Sequence, residues 1–93
     1  MLKLNQSISD EQLKAMILHK LARKRKWSHS HASFDLVVKG IPPHLGRRAK
    51  EATNLLVKEG LILLKPTAYG EEISLNSERA EEILARIRRY FEN

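Results

Sequence analysis

Two groups of cationic side chains stand out in a chain that contains no cysteine. The first is Lys20, Arg23, Lys24, Arg25 and Lys26, the last four of which follow one another without an intervening acid. Closely spaced ammonium and guanidinium groups can neutralise a polyanion and release its counterions. The same run also suits the negative end of a helix dipole, so helix termination and solubility account for part of it without a ligand. The second group is Arg47, Lys50, Asn54 and Lys58, flanked by Arg48 and Glu51, at a spacing that a helix would gather into one stripe. Against a binding role, Arg47 with Glu51 and Asn54 with Lys58 stand four residues apart and can simply solubilise an exposed face.

The other reactive side chains are less suggestive. His29-x-His31 with His44 offers three imidazoles, a donor type that zinc accepts, yet the only nearby carboxylate is Asp35 and there is no thiolate. Filling a loop or donating to phosphate is the simpler role for them, and neither a metal nor any other cofactor is expected. The chain has no paired acids, nucleophile elbow or Gly-rich phosphate loop, and Asp35 has no evident catalytic partner. Enzymatic activity is not expected.

These side chains must be positioned by one small domain spanning residues 1–93. The 93 residues are 42% apolar and include fourteen Leu against four Gly and three Pro, enough to bury a single core. The longest apolar run, Leu61-Ile62-Leu63-Leu64, stops at Lys65, far short of a bilayer span, so no membrane partner is expected. Met1-Leu2-Lys3-Leu4-Asn5-Gln6 lacks an apolar secretory core, which with the missing cysteines points to an intracellular, cytoplasmic location. Residues 1–60 carry twelve Lys/Arg and five Asp/Glu, whereas residues 61–93 carry five and six. The overall charge of +6 therefore belongs to the first two thirds, as expected for a polyanionic partner, most often nucleic acid.

Ser9 and Gln12 form a capping box that starts a first helix, with Ile8 stapled onto Leu13. Leu13, Met16, Ile17 and Leu21 give it one apolar face through about Arg25. After a polar connector over residues 27–33, Phe34-Asp35-Leu36-Val37-Val38 predicts a short second helix ended by Gly40, although its β-branched pair also suits a strand. Pro43 suits the first turn of a third helix that runs to about Glu59 and is capped by Gly60. Leu45, Ala49, Ala52, Leu55 and Leu56 line its buried face. Leu61–Lys65 and Glu72–Asn76 are strand-like and flank a turn at residues 66–70, which predicts a β-hairpin. Asn76 or Ser77 then caps a last helix with a buried stripe of Ala80, Ile83, Leu84, Ile87 and Tyr90 or Phe91. Its remaining charged residues, Arg79, Arg86, Arg88, Arg89, Glu78, Glu81 and Glu82, read as solvated faces.

Three helices, a hairpin and a final helix make a mostly helical α+β domain. Gly40-Ile41 as a turn, and Leu56-Val57-Lys58-Glu59-Gly60-Leu61-Ile62 as an L-x-x-x-G-L-I junction between third helix and first strand, make residues 9–76 resemble the winged helix-turn-helix superfamily. Lys65-Pro66-Thr67-Ala68-Tyr69-Gly70 and Ser74-Leu75-Asn76 are similar to small archaeal winged-helix proteins. The resemblance implies that the third helix enters the DNA major groove, Arg47, Arg48 and Lys50 leading, with Asn54 and Lys58 following. It also implies that Arg23, Lys24, Arg25 and Lys26 grip phosphates. Pro42-Pro43 and Gly46 depart from the superfamily's usual recognition-helix start, and Tyr69-Gly70 replaces its basic wing tip. The expectation is a DNA-binding transcriptional regulator, dimeric through its terminal helix and through Leu2 and Leu4. The alternative is a protein-interaction or RNA-associated subunit, which the near-neutral wing and Glu71-Glu72 favour.

Overall fold

The computed structural model describes residues 8–91. Leu2 and Leu4, on which the expectation of a dimer partly rests, lie outside them. The first helix, α1 (Asp10–Arg23), starts at the expected capping box: Ser9 Oγ accepts from the Gln12 N–H at 3.0 Å, and Gln12 Oε1 accepts from the Ser9 N–H at 3.0 Å. It ends two residues earlier than expected, in a double closure. The Lys26 N–H reaches the Leu21 carbonyl and the Arg25 N–H reaches the Ala22 carbonyl, both at 3.0 Å, with Arg25 in the left-handed region at φ 57.

The connector is more ordered than its composition suggests. Trp27 bridges Leu75, and Ala32–Ser33 forms a short strand, β1, paired antiparallel with Ile73 and Glu72. Two residues carry no period that a sequence can show, but a strand edge with open N–H and C=O groups readily accepts them. Phe34–Val38 is helical as expected, but in the tighter 3-10 geometry, capped by Ser33. The β-branched Val37-Val38 pair disfavours an α-helix, and a five-residue segment closes readily with i→i+3 bonds.

A 3-10 turn at Pro43–Leu45 leads into α2 (Gly46–Lys58), and Gly60 follows it at φ 82. The hairpin consists of β2 (Ile62–Thr67) and β3 (Gly70–Leu75), in register from Ile62 opposite Leu75 to Thr67 opposite Gly70. The strands run further than expected, leaving only Ala68 and Tyr69 as the loop. Pro66 is tolerated inside β2 because the sheet order β1-β3-β2 leaves that strand at an edge. Asn76 then accepts from the Glu78 N–H at 3.0 Å and donates to the Gly60 carbonyl at 2.9 Å, fixing the start of the last helix, α3 (Ala80–Phe91), to the end of α2.

The result is an α+β fold with three α-helices and a three-stranded antiparallel sheet among the described residues. Leu13, Ile17, Leu18 and Leu21 of α1 meet Ala49, Ala52 and Leu56 of α2, Leu61, Ile62, Ile73 and Leu75 of the hairpin, and Ile83 and Ile87 of α3. Two residues assigned to buried stripes are exposed instead, Leu55 at 44% and Leu84 at 40%. Helix α2 is rotated so that Thr53 is buried in place of Leu55, its hydroxyl donating to the Ala49 carbonyl at 2.8 Å. No helix among the described residues is long and apolar enough to cross a membrane.

Candidate nucleic-acid interface

Helix α2 presents Arg47, Lys50, Asn54 and Lys58 to solvent, as its amphipathic pattern requires. Lys50 Nζ stands 4.0 Å from Asp35 Oδ1, a contact between two exposed side chains that leaves the ammonium free to exchange partners. Arg48 is placed differently. Its Nη2 donates to the Ile8 carbonyl at 2.7 Å and to Asp10 Oδ1 at 2.8 Å, so its guanidinium ties α2 to the start of α1 and stands apart from the stripe.

Two open grooves border the stripe. One, of about 610 Å³, has Val38, Ile41 and Pro42 along one side and Arg47, Lys50 and Asn54 along the other. The second, of about 360 Å³, brings Lys50 and Asn54 together with Ser33 and with Tyr69 of the hairpin tip, a side chain wholly exposed to solvent. Glu51 edges the first groove and Asp35 and Glu71 the second, so acids interrupt the cationic surface on the hairpin side.

At the end of α1, Arg23, Lys24 and Arg25 are exposed and Lys26 is half-buried. Lys20 is engaged: its ammonium donates to the Leu36 carbonyl at 3.2 Å and to the Lys39 carbonyl, closing the 3-10 helix against α1. Burial, and secondarily the charge of Lys24, push its pKa down. The groove beside Lys24 and Lys26 shares Ser33 and Asp35 with the groove that holds Lys50 and Asn54. Lys24 and Lys26 of the first cationic group and Arg47, Lys50 and Asn54 of the second thus line adjoining grooves.

The remaining charged residues form a separate network. Lys14, buried although charged, bonds Glu59 at 2.8 Å and Glu11 at 3.3 Å. Arg86 reaches Glu59, Glu82 at 3.3 Å and Glu11 at 3.8 Å, and Arg79 bonds Glu82 and, at 3.2 Å, the Glu59 carbonyl. Arg79 is exposed as expected, whereas Arg86, expected on a solvated face, is half-buried and ties α3 to Glu11 of α1 and to Glu59 at the end of α2. Burial pushes the Glu59 carboxyl up, but the hydrogen bonds from Lys14 and Arg86 outweigh it and hold the group below its usual range.

Sequence reasoning missed Lys14, whose place on the α1 apolar face was the available signal, and Lys39, which carried none beyond preceding Gly40. His29 and His44 are exposed and His31 half-buried, and among the described residues no three His, Cys, Asp or Glu gather as a metal site. His19 stacks on Phe91 with ring centroids 4.3 Å apart, and burial, then Arg23, push its pKa down. Comparison with protein-family models, curated proteins and solved structures finds no match.

Proposed function

We propose that this chain is a winged helix-turn-helix protein that binds duplex DNA through α2, as a transcriptional regulator would. The observation that carries the reading is the stripe Arg47, Lys50, Asn54 and Lys58, unobstructed on α2 and flanked by the tip of the β2–β3 hairpin. A helix about 10–12 Å across with its side chains suits a major groove about 12 Å wide. Arg47 and Asn54 supply the side-chain types that bond base edges in pairs, to guanine and adenine respectively, while Lys50 and Lys58 suit phosphates. Helix α2 follows the 3-10 segment and the turn at Gly40-Ile41, and the hairpin follows α2, the order that a winged helix requires. Lys24 and Lys26 line the adjoining groove and, with the exposed Arg23 and Arg25 beside them in the chain, supply further charge.

The test is anisotropy of a labelled duplex titrated with the full chain at several salt concentrations. Arg47→Ala and Lys50→Ala should each weaken binding, and the logarithm of affinity should fall linearly with that of salt, by about 0.9 per phosphate neutralised. Absence of duplex binding at low salt refutes the proposal. Tyr69, wholly exposed beside Glu71, favours a second reading, an RNA or protein partner at the hairpin tip. Retained RNA hairpin or subunit binding in a chain that ignores duplex DNA, abolished by Tyr69→Ala, would select it. Sedimentation of the free and duplex-bound chain decides whether it acts as a homodimer.

A further inference from the structure

Three lysines from two segments border one groove. Lys24 closes α1, Lys26 precedes Trp27, and Lys39 follows the 3-10 helix; with Ser33, Asp35 and Leu36 they line a hollow of about 480 Å³. None of the three has a carboxylate partner among the described residues, and Asp35, the one acid of the lining, faces Lys50 at 4.0 Å. The Lys20 ammonium is not in the lining but bonds the carbonyls of two lining residues, Leu36 and Lys39. Folding thus adds Lys39 to the neighbouring pair Lys24 and Lys26, with Asp35 as the one acid beside them. Ser33 Oγ accepts the Asp35 N–H at 3.3 Å, which leaves its own proton available to an outside acceptor. The lining holds no aromatic ring on which a base could stack. Ammonium groups are compact point charges with freely rotating donors, the chemistry of phosphate binding without a planar fork.

We infer that this groove seats a single phosphate group, held by Lys24, Lys26 and Lys39 with a hydrogen bond from Ser33. In the duplex-binding reading, on which this source of the ligand rests, the group is a backbone phosphodiester beside the segment that α2 contacts. The site is tested with the full chain by amide NMR, titrating pyrophosphate at low salt, and in parallel by duplex anisotropy. Pyrophosphate should shift the amides of Ser33, Leu36 and Lys39 saturably. Asp35→Asn should tighten it severalfold, and the Lys24→Ala/Lys26→Ala/Lys39→Ala variant should abolish it, while Lys65→Ala leaves it unchanged. The Lys39 backbone carbonyl, which holds Lys20, survives these substitutions, and far-UV circular dichroism verifies the fold. For the duplex, the triple variant should flatten the salt slope by about one unit, the change expected for one lost phosphate. Shifts spread evenly over all lysines, or no effect of the triple variant on pyrophosphate, overturn the site. A chain that binds pyrophosphate here but no duplex keeps the site and refutes the DNA reading. One that binds duplex with a slope indifferent to the triple variant overturns the phosphodiester seat alone.

Discussion

Arg25 occupies a backbone conformation that glycine would hold more easily. At φ 57 it supplies the left-handed residue of the α1 closure, its N–H bonded to the Ala22 carbonyl at 3.0 Å. A residue with a Cβ pays about 1–2 kcal/mol in that region. Glycine avoids this but gives back about 0.5–1 kcal/mol through its larger unfolded-state entropy. Replacing Arg25 also removes a charge that the helix dipole favours and that Lys24 and Lys26 repel, so a single variant would mix charge with backbone. Comparing Arg25→Gly with Arg25→Ala cancels the charge. The glycine variant should be the more stable of the two by about 0.5–1 kcal/mol, or roughly 2–8 °C in Tm for a domain of this size. Thermal denaturation followed at 222 nm (about the usual helix band) measures it. Equal melting temperatures, or a lower one for the glycine variant, would refute the strain argument. If the cationic cluster meets phosphate, both variants should lose duplex affinity to the same extent, because both lose the same guanidinium.

Two further outcomes follow from the ion pairs. Glu59→Gln should destabilise the fold at neutral pH by about 1–3 kcal/mol, since it strips Lys14 and Arg86 of their shared carboxylate, with the partial exposure of the site keeping the loss below that of a fully buried pair. The folded pKa of Glu59 lies below its ordinary 4.5, so its contribution is present above that pH and is lost as pH falls through the folded value. Urea unfolding at neutral and at acidic pH should therefore show the gap between wild type and Glu59→Gln narrowing in acid, and a constant gap contradicts the assignment. Arg48→Ala should cost about 1 kcal/mol through the lost bond to the Ile8 carbonyl, with little from the exposed Asp10, and should leave duplex affinity near wild type. A large loss of affinity in a stable Arg48→Ala chain would return that residue to the interface.

The helix boundaries that carry a local signal were legible, whereas the α1 end, which carries none but a run of cations, fell two residues early. Ser9 and Gln12, three residues apart, close the capping box wherever the helix later packs, and Gly60 and Asn76 mark ends in the same way. The hairpin was legible from composition, although its loop is shorter than the Pro and Gly around it suggested. The α2 stripe was legible too, since a helix of period 3.6 that buries Ala49, Ala52 and Leu56 must expose Arg47, Lys50, Asn54 and Lys58. Leu55 and Leu84 were misjudged because an apolar stripe can be wider than the neighbour that covers it, and the helix rotation that decides between Thr53 and Leu55 is a packing outcome.

Charge shows the division most clearly. The chain alone establishes that cations are concentrated before residue 60 and that α1 ends and α2 proceeds in runs of them. Which of those cations stay free is decided by folding. Arg48 meets Asp10 across 38 residues of sequence, and Lys14 meets Glu59 across 45, whereas Lys24, Lys26 and Lys39 converge with only Asp35 for company. Backbone propensity and capping act over a few residues and so are written in order along the chain. An ion pair needs two groups within a few ångströms of each other, and that proximity exists only once the helices have packed.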